Sequence, residues 1–355
     1  MSRWKIALGI LAILGIVAYA LRGPLSMRIM QRALPGMMAA DPMAELPDGL
    51  HLTLCGAGSP LPDPNRSGPC VGIVAGQNLF VVDAGSRAGR NLNQMGLPAG
   101  RVQAVFLTHF HSDHIDGLGQ LAFQRWAGGT QEEPLPLVGP TGVELVAEGF
   151  NRAYELDASY RVAHHGERAM PPEAAGLDPR PFPVPEPGKP LVVWEADGVK
   201  ITAFRVEHEP VEPAVGYRFD YGGRSLVVTG DTIKSKEIER MSQGVDLLVH
   251  EALAAHLVEL MAAAAREAGA EKRAKILNDI LDYHATPVDA AETAEAAGAR
   301  HLLFYHIVPP LIIPGLEVAF LQGVDDAYSG DVTLGRDGTR VSLPSGSDAI
   351  EVSGD

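Results

Sequence analysis

Residues 102–118 read VQAVFLTHFHSDHIDGL. An apolar, β-branched run stops at Leu107, and three of the chain's 12 histidines follow at 109, 111 and 114. The pattern predicts a buried strand that ends in a polar loop and re-enters a helix near Gly117. The carboxyl end of a strand is where α/β folds commonly place their sites. In an extended loop, His109 and His111, two residues apart, point to one side. Asp113 and His114 turn back towards them from the start of the next helix. Imidazole and carboxylate suit a borderline metal such as zinc without any thiolate. Four donors so close in sequence can hardly serve one tetrahedral ion without strain, so the spacing points to two neighbouring ions.

The rest of the chain supplies the matching elements. GLHLTLC (49–55), VGIVA (71–75) and LFVVDAG (79–85) read as short strands between Gly/Pro turns. Helical patterns follow around 87–95, 117–126 and 143–154. Residues 166–190 carry eight prolines and are predicted to form no regular structure. Strands resume at LVVWEA, VKITAFRVEH, AVGYRFDY, SLVVTGD and VDLLVHE. A long helical stretch then runs to about Tyr283. TPVDAAETAEAAGA (286–299), with Pro near its start, reads as a helix before the strand HLLFYH (301–306). Two β-rich halves with helices outside predict an α/β, four-layered αβ/βα sandwich.

Composition narrows the options. A chain of 355 residues, 46% hydrophobic and 21% charged, can bury a sizeable core. A formal net charge of −15 disfavours broad phosphate-backbone binding. Cys55 and Cys70 are too few for a thiolate zinc site. They form one disulfide if the domain lies outside the cytosol, or stay two buried thiols.

The N-terminus carries Arg3 and Lys5 before Ile6–Leu21, which has no charge. At about 1.5 Å per residue this stretch spans roughly 24 Å, short for a bilayer crossing. Ala18-Tyr19-Ala20 resembles a cleavage site. Residues 1–22 are expected to be a signal peptide or membrane anchor, 23–48 a linker, 49–343 the folded domain and 344–355 a flexible tail. Within the domain, 252–282 forms a helical insertion. Leu253, Leu257, Leu260 and Met261 recur there at helical spacing, predicting an amphipathic helix over 252–265 with those residues buried.

HFHSDH (109–114) matches the HxHxDH signature of the metallo-β-lactamase superfamily. VVDAG, VEHEPVEPAVGYRF, TGDT, VHEA and HATPVDAAETAEAAGARHLLFYH resemble its ribonuclease Z-like branch, in family order from about residue 50 to 310. The resemblance implies a metallo-β-lactamase fold and two zinc ions per chain. His109, His111 and His208 would hold one ion; Asp113, His114 and His306 would hold the second, with Asp231 bridging both. His284 matches the family's non-ligand histidine near the scissile bond. Glu251 and Asp83 are expected to support these residues by hydrogen bonding. His164, His165, His256 and His301 match no role and are expected at the surface.

The implied activity is hydrolysis of a phosphodiester, or of a sulfate or carboxylic ester, through a metal-bound hydroxide. Asp113 would orient the hydroxide or relay its proton, and His284 would act on the leaving oxygen. Three departures weigh against the transfer-RNA processing of true ribonuclease Z. No basic arm is evident, since 166–190 carries a net charge of −1. The stretch between His250 and His284 is enlarged, and IVPPLIIPG follows His306. The expected substrate is therefore a small-molecule ester or phosphodiester. The alternatives are an RNA 3′-end processing endonuclease and a non-catalytic membrane-tethered scaffold. A membrane contact through the N-terminus, a periplasmic-side location in preference to a cytoplasm-facing one, and a homodimer complete the expectations.

Overall fold

A computed structural model describes residues 3–354, the side chains at 6 and 9 aside. The strands, in chain order, are β1 (Gly49–Gly56), β2 (Cys70–Ala75), β3 (Asn78–Val82), β4 (Val102–Phe106), β5 (Leu135–Pro140) and β6 (Leu177–Phe182). They continue as β7 (Leu191–Ala196), β8 (Val199–Arg205), β9 (Val215–Tyr221), β10 (Arg224–Val228), β11 (Leu247–Leu253), β12 (His301–Val308), β13 (Asp331–Leu334), β14 (Arg340–Pro344) and β15 (Glu351–Ser353). One sheet has eight strands in the order β15-β14-β1-β2-β3-β4-β5-β6. The other has seven, in the order β13-β12-β11-β10-β9-β8-β7.

Aromatic and branched residues from both sheets meet in one core, including Phe80, Phe106, Tyr217, Phe219, Val249 and Tyr305. The rings of Phe106 and Tyr217 pack edge to face at 5.5 Å, and the buried Tyr217 hydroxyl donates to the Leu107 carbonyl at 2.6 Å. Helices cover the outer faces. Ala290, Ala291 and Ala294 of the helix Pro287–Ala297 share a core with Leu248 and Leu302 of β11 and β12. That helix starts in a capping box between Thr286 and Asp289, which satisfies its first backbone donors. The four-layered αβ/βα sandwich expected from the sequence is the observed architecture.

The chain divides into two compact units, Met1–Glu45 and Leu46–Asp355. In the first, the backbone stays helical through the expected boundary at residue 22. A single helix runs from Arg3 to Ala39 across Pro24 and Pro35. The strong helix formers Leu, Met, Arg, Gln and Ala dominate 25–34 and outweigh the hydrogen bonds the prolines remove. The helix is long and apolar enough to cross a membrane, a property that a signal sequence shares.

Three further expectations are corrected in the second unit. Leu177–Phe182 of the proline-rich segment forms β6, which pairs in parallel with β5. Pro179 and Pro181 lie two apart on this edge strand, so their missing N–H groups both fall on the unpaired side. The tail also adds a strand, β15, which pairs with β14. Arg224 donates to the carbonyls of Pro344, Ser347 and Ala349, and Arg300 to that of Asp348, while Asp246 pairs with both guanidinium groups. In the insertion, 252–253 finish β11 and the helix begins at Ala255, running to Glu267. Its buried stripe is Leu257, Val258, Ala262 and Ala265, whereas Leu260 is 67% exposed and Met261 38%. Small residues face the following helix, Glu271–Asp279, and let the two axes approach, which turns the larger side chains outward.

Cys55 and Cys70 form a buried disulfide that closes residues 55–70 into a loop. Asn91 holds the same loop, donating to the Cys55 carbonyl at 2.6 Å and the Ser67 hydroxyl at 3.1 Å. Asp337 accepts from the backbone of Ala57 and Ser67, both at 3.0 Å. A cross-link of sequence separation 15 contributes about 3 kcal/mol by restricting the unfolded chain. The C55S/C70S double variant is expected to unfold at lower temperature by about that free energy. Reductant should lower the wild-type midpoint and leave that of the variant unchanged in thermal denaturation.

Candidate metal centre

Four chain segments bring the seven predicted metal donors to one end of the sandwich. His109 and His111 follow β4; Asp113 and His114 open the short helix Ser112–Ile115. His208 follows β8 and Asp231 follows β10. His306 lies within β12, where the pairing slips: Tyr305 faces Glu251 and Ile307 faces Ala252, leaving His306 without a partner residue. Its φ of 44° is in the left-handed region. A bulge of this kind re-aims a side chain, and here it turns the imidazole out of the ladder towards the loops.

The seven donors interlock around Asp231. One of its oxygens lies 3.4 Å from His114 Nε2. The other lies 3.7 Å from His109 Nε2, 3.8 Å from His208 Nε2 and 3.4 Å from His306 Nε2. Asp113 Oδ2 is 3.3 Å from His306 Nε2 and 3.6 Å from His114 Nε2. His111 Nδ1 is 2.9 Å from His109 Nε2. Ligands each about 2.1 Å from a tetrahedral zinc sit about 3.4 Å from one another, so these separations fit shared cations. His109, His111, His208 and Asp231 form one group that could hold an ion, and Asp113, His114 and His306 a second, with donor atoms within 4.8 Å of one another.

Burial tests the fit independently. His114 Nε2, His208 Nε2 and Asp231 Oδ1 are buried without a hydrogen-bond partner. Each such atom costs about 1–3 kcal/mol unless something else satisfies it. Cations coordinated by these atoms would remove that cost. Burial holds His109, His111 and His208 below the usual imidazole pKa, which favours the neutral, ligating form. Burial alone would raise the pKa of Asp231, but His306, His114 and His109 keep it well below the usual carboxylate range.

The surroundings orient the rings. Asp83 accepts from His114 Nδ1 at 2.8 Å, Thr108 N at 2.9 Å and Thr108 Oγ1 at 2.8 Å. His208 Nδ1 donates to the Tyr283 carbonyl at 2.8 Å. In both rings this directs Nε2 to the centre. Glu251 accepts from His284 Nδ1 at 2.9 Å, Thr232 N at 3.1 Å and Ala285 N at 3.2 Å. Burial opposes charge on His284, yet Glu251 outweighs it and raises the ring to about 9. His284 stacks on His306 with centroids 5.6 Å apart and lines a cavity of about 290 Å³ above the donors.

Asp83 and Glu251 thus occupy the supporting positions expected of them. Sequence reasoning missed Thr108, Asn91 and Asp337; only the Thr preceding the first histidine offered a local signal. His164, His165 and His256 are exposed, as expected. His301 is not at the surface: it is buried and bonds Thr333 Oγ1 at 2.9 Å, because the first residue of β12 is covered by β13.

Comparison with known proteins agrees with this geometry. The metallo-beta-lactamase superfamily profile matches residues 64–278. Ribonuclease Z of Mycobacterium bovis (strain BCG / Pasteur 1173P2) is 35% identical over 296 residues, covering 83% of this chain and 98% of its own. Ribonuclease Z of Mycolicibacterium gilvum is 34% identical over 299 residues, covering 84% and 97%. In fold, the chain is similar to YhfI of Bacillus subtilis (TM-score 0.59, 21% identity, 83% of this chain and 100% of that one). It is equally similar to the short form of human tRNase Z (TM-score 0.59, 21% identity, 83% and 99%). The chain belongs to the metallo-β-lactamase superfamily, in its ribonuclease Z-like branch, and is a metal-dependent hydrolase.

Proposed function

We propose that this hydrolase is a dinuclear zinc phosphodiesterase acting on a small substrate. His109, His111 and His208 would hold one ion, Asp113, His114 and His306 the other, and Asp231 would bridge them. The convergence of these seven donors, four of them with a buried polar atom that lacks a hydrogen-bond partner, carries the reading. Zinc bound there would supply Lewis acidity and lower the pKa of a water towards about 7. Asp113 lines the cavity as well as the donor nest, so its carboxylate is placed to accept the proton of the attacking water. His284 has Nδ1 committed to Glu251, which leaves Nε2 as the nitrogen for the leaving oxygen. Of the ester classes expected, the phosphodiester has the support of relatives named ribonucleases. Membership of a hydrolase family sets the non-catalytic scaffold reading aside.

A second reading, RNA 3′-end processing, is favoured by 35% identity along 98% of a ribonuclease Z. The surface opposes it. None of the residues lining the cavity is Lys or Arg. The adjoining cleft beyond Tyr283 presents Glu207, Glu209, Glu237 and Asp282 against Arg205, which itself pairs with Glu212. A polyanionic chain leaving the centre by that route meets like charge. The apolar N-terminal helix and the buried disulfide together support a membrane-tethered protein with its hydrolase unit in an oxidising, periplasm-like compartment. The outward-facing Leu260 and Met261 leave a homodimer contact as part of the proposal.

Protein purified without chelator is expected to carry two zincs per chain, and Asp231→Ala to lose metal and most activity. Elemental analysis showing no stoichiometric transition metal would overturn the reading. Hydrolysis of bis(p-nitrophenyl) phosphate is expected, and cleavage of a transfer-RNA precursor at a higher kcat/KM would favour the second reading instead. His284→Ala should retain zinc and lose about 10²–10⁴ in rate on alkyl phosphodiesters, less on nitrophenyl esters whose leaving oxygen needs no proton. Equal losses on both substrates, or loss of zinc, would remove the role given to His284.

A further inference from the structure

We infer that the phosphodiester is an amphiphile, with one ester arm an apolar chain that runs along the helix Glu271–Asp279. The inference rests on the phosphodiesterase reading and narrows its substrate class. The cavity over the donor nest is polar on one side only. Its opposite wall is Leu61, Ile276, Leu277, Ile280 and Val308. Packing does not require all of this wall, since Ile276 is 51% exposed. Leu61, Ile276 and Leu277 also line an open groove of about 960 Å³, together with Pro62 and Met261. Two spaces that share three aliphatic side chains make one apolar path from the donors to the surface. Leaving such a path open to water is unfavourable, and each methylene transferred into it gains about 0.8 kcal/mol.

Charge selects the same ligand. Lys272 and Arg273 outnumber Glu271 on the groove, so its mouth does not repel a phosphate that enters through it. The other exit, past Tyr283, is the acidic cleft that repels a second phosphate. A single phosphate with an uncharged aliphatic arm satisfies both surfaces, and a nucleic-acid strand satisfies neither. The insertion that lengthens the chain between His250 and His284 is therefore the element that recognises the substrate.

The test uses full-length, zinc-loaded protein in lipid nanodiscs and glycerophosphodiesters with methyl, butyl and hexyl arms, products being followed by mass spectrometry. kcat/KM is expected to rise about two- to fourfold per added methylene, chiefly through KM. Ile276→Asp, at a position open enough to accept the charge without unfolding, should flatten that series. Release of head groups from the nanodisc phospholipid would identify a bilayer source for the amphiphile. Cleavage confined to the added diesters would identify a soluble one. A wild-type series that is flat, or an Ile276→Asp series as steep as wild type, overturns the inference. If wild type also fails on bis(p-nitrophenyl) phosphate, the phosphodiesterase reading falls with it. If that substrate is cleaved, only the inference falls.

Discussion

Asp231 is a buried carboxylate facing four imidazoles, and the site is organised around that one concentration of charge. Its oxygens lie 3.4–3.8 Å from His109, His114, His208 and His306, which arrive from three separate chain segments. A carboxylate in this position is costly to bury unless opposite charge or a cation is shared across it. The two sheets must therefore meet in a register that brings the ends of β4, β8, β10 and β12 to one place. Hydrophobic packing between the sheets provides the rigid frame, and the polar donors sit at its rim.

A ring of supporting hydrogen bonds keeps the frame from collapsing onto the donors. Asp83, with φ at 55°, spans three donors from the β4 end and fixes His114. Glu251 does the same for His284, Thr232 and Ala285. On the opposite rim, the Cys55–Cys70 disulfide and the Asn91–Asp337 contact hold the loop that presents Ser59, Pro60 and Leu61 to the cavity. The site is thus preorganised by buried partners rather than by the reacting groups themselves, which leaves the donor atoms free for a cation.

The proposed specificity and the proposed chemistry reside in different parts of the chain. The donors belong to loops of the two sheets, whereas the apolar wall comes mainly from the helix Glu271–Asp279 and the residues after it. One frame can therefore keep its hydrolytic centre while an insertion changes what is admitted. The net charge of −15 and the acidic cleft point the same way, away from extended polyanions.

Much of this was legible in the sequence. Strands ending in His, Asp and Gly are local patterns, so the sandwich could be read from periodicity, and the resemblance of the HFHSDH, TGDT and closing-histidine motifs pointed to the residues that the fold brings together. The rest needed tertiary structure, because it depends on partners distant in the chain. Pro179 and Pro181 are compatible with a strand only because β6 turned out to be an edge. The tail is held by Arg224 of β10 and by Arg300, which precedes β12. His301, at the start of a strand, looked exposed until β13 covered it. Which face of the helix Ala255–Glu267 is buried was decided by a neighbouring helix that wanted small residues, not by hydrophobicity alone. Local sequence specifies periodicity and chemistry, whereas burial and the aim of a side chain are properties of what packs against it.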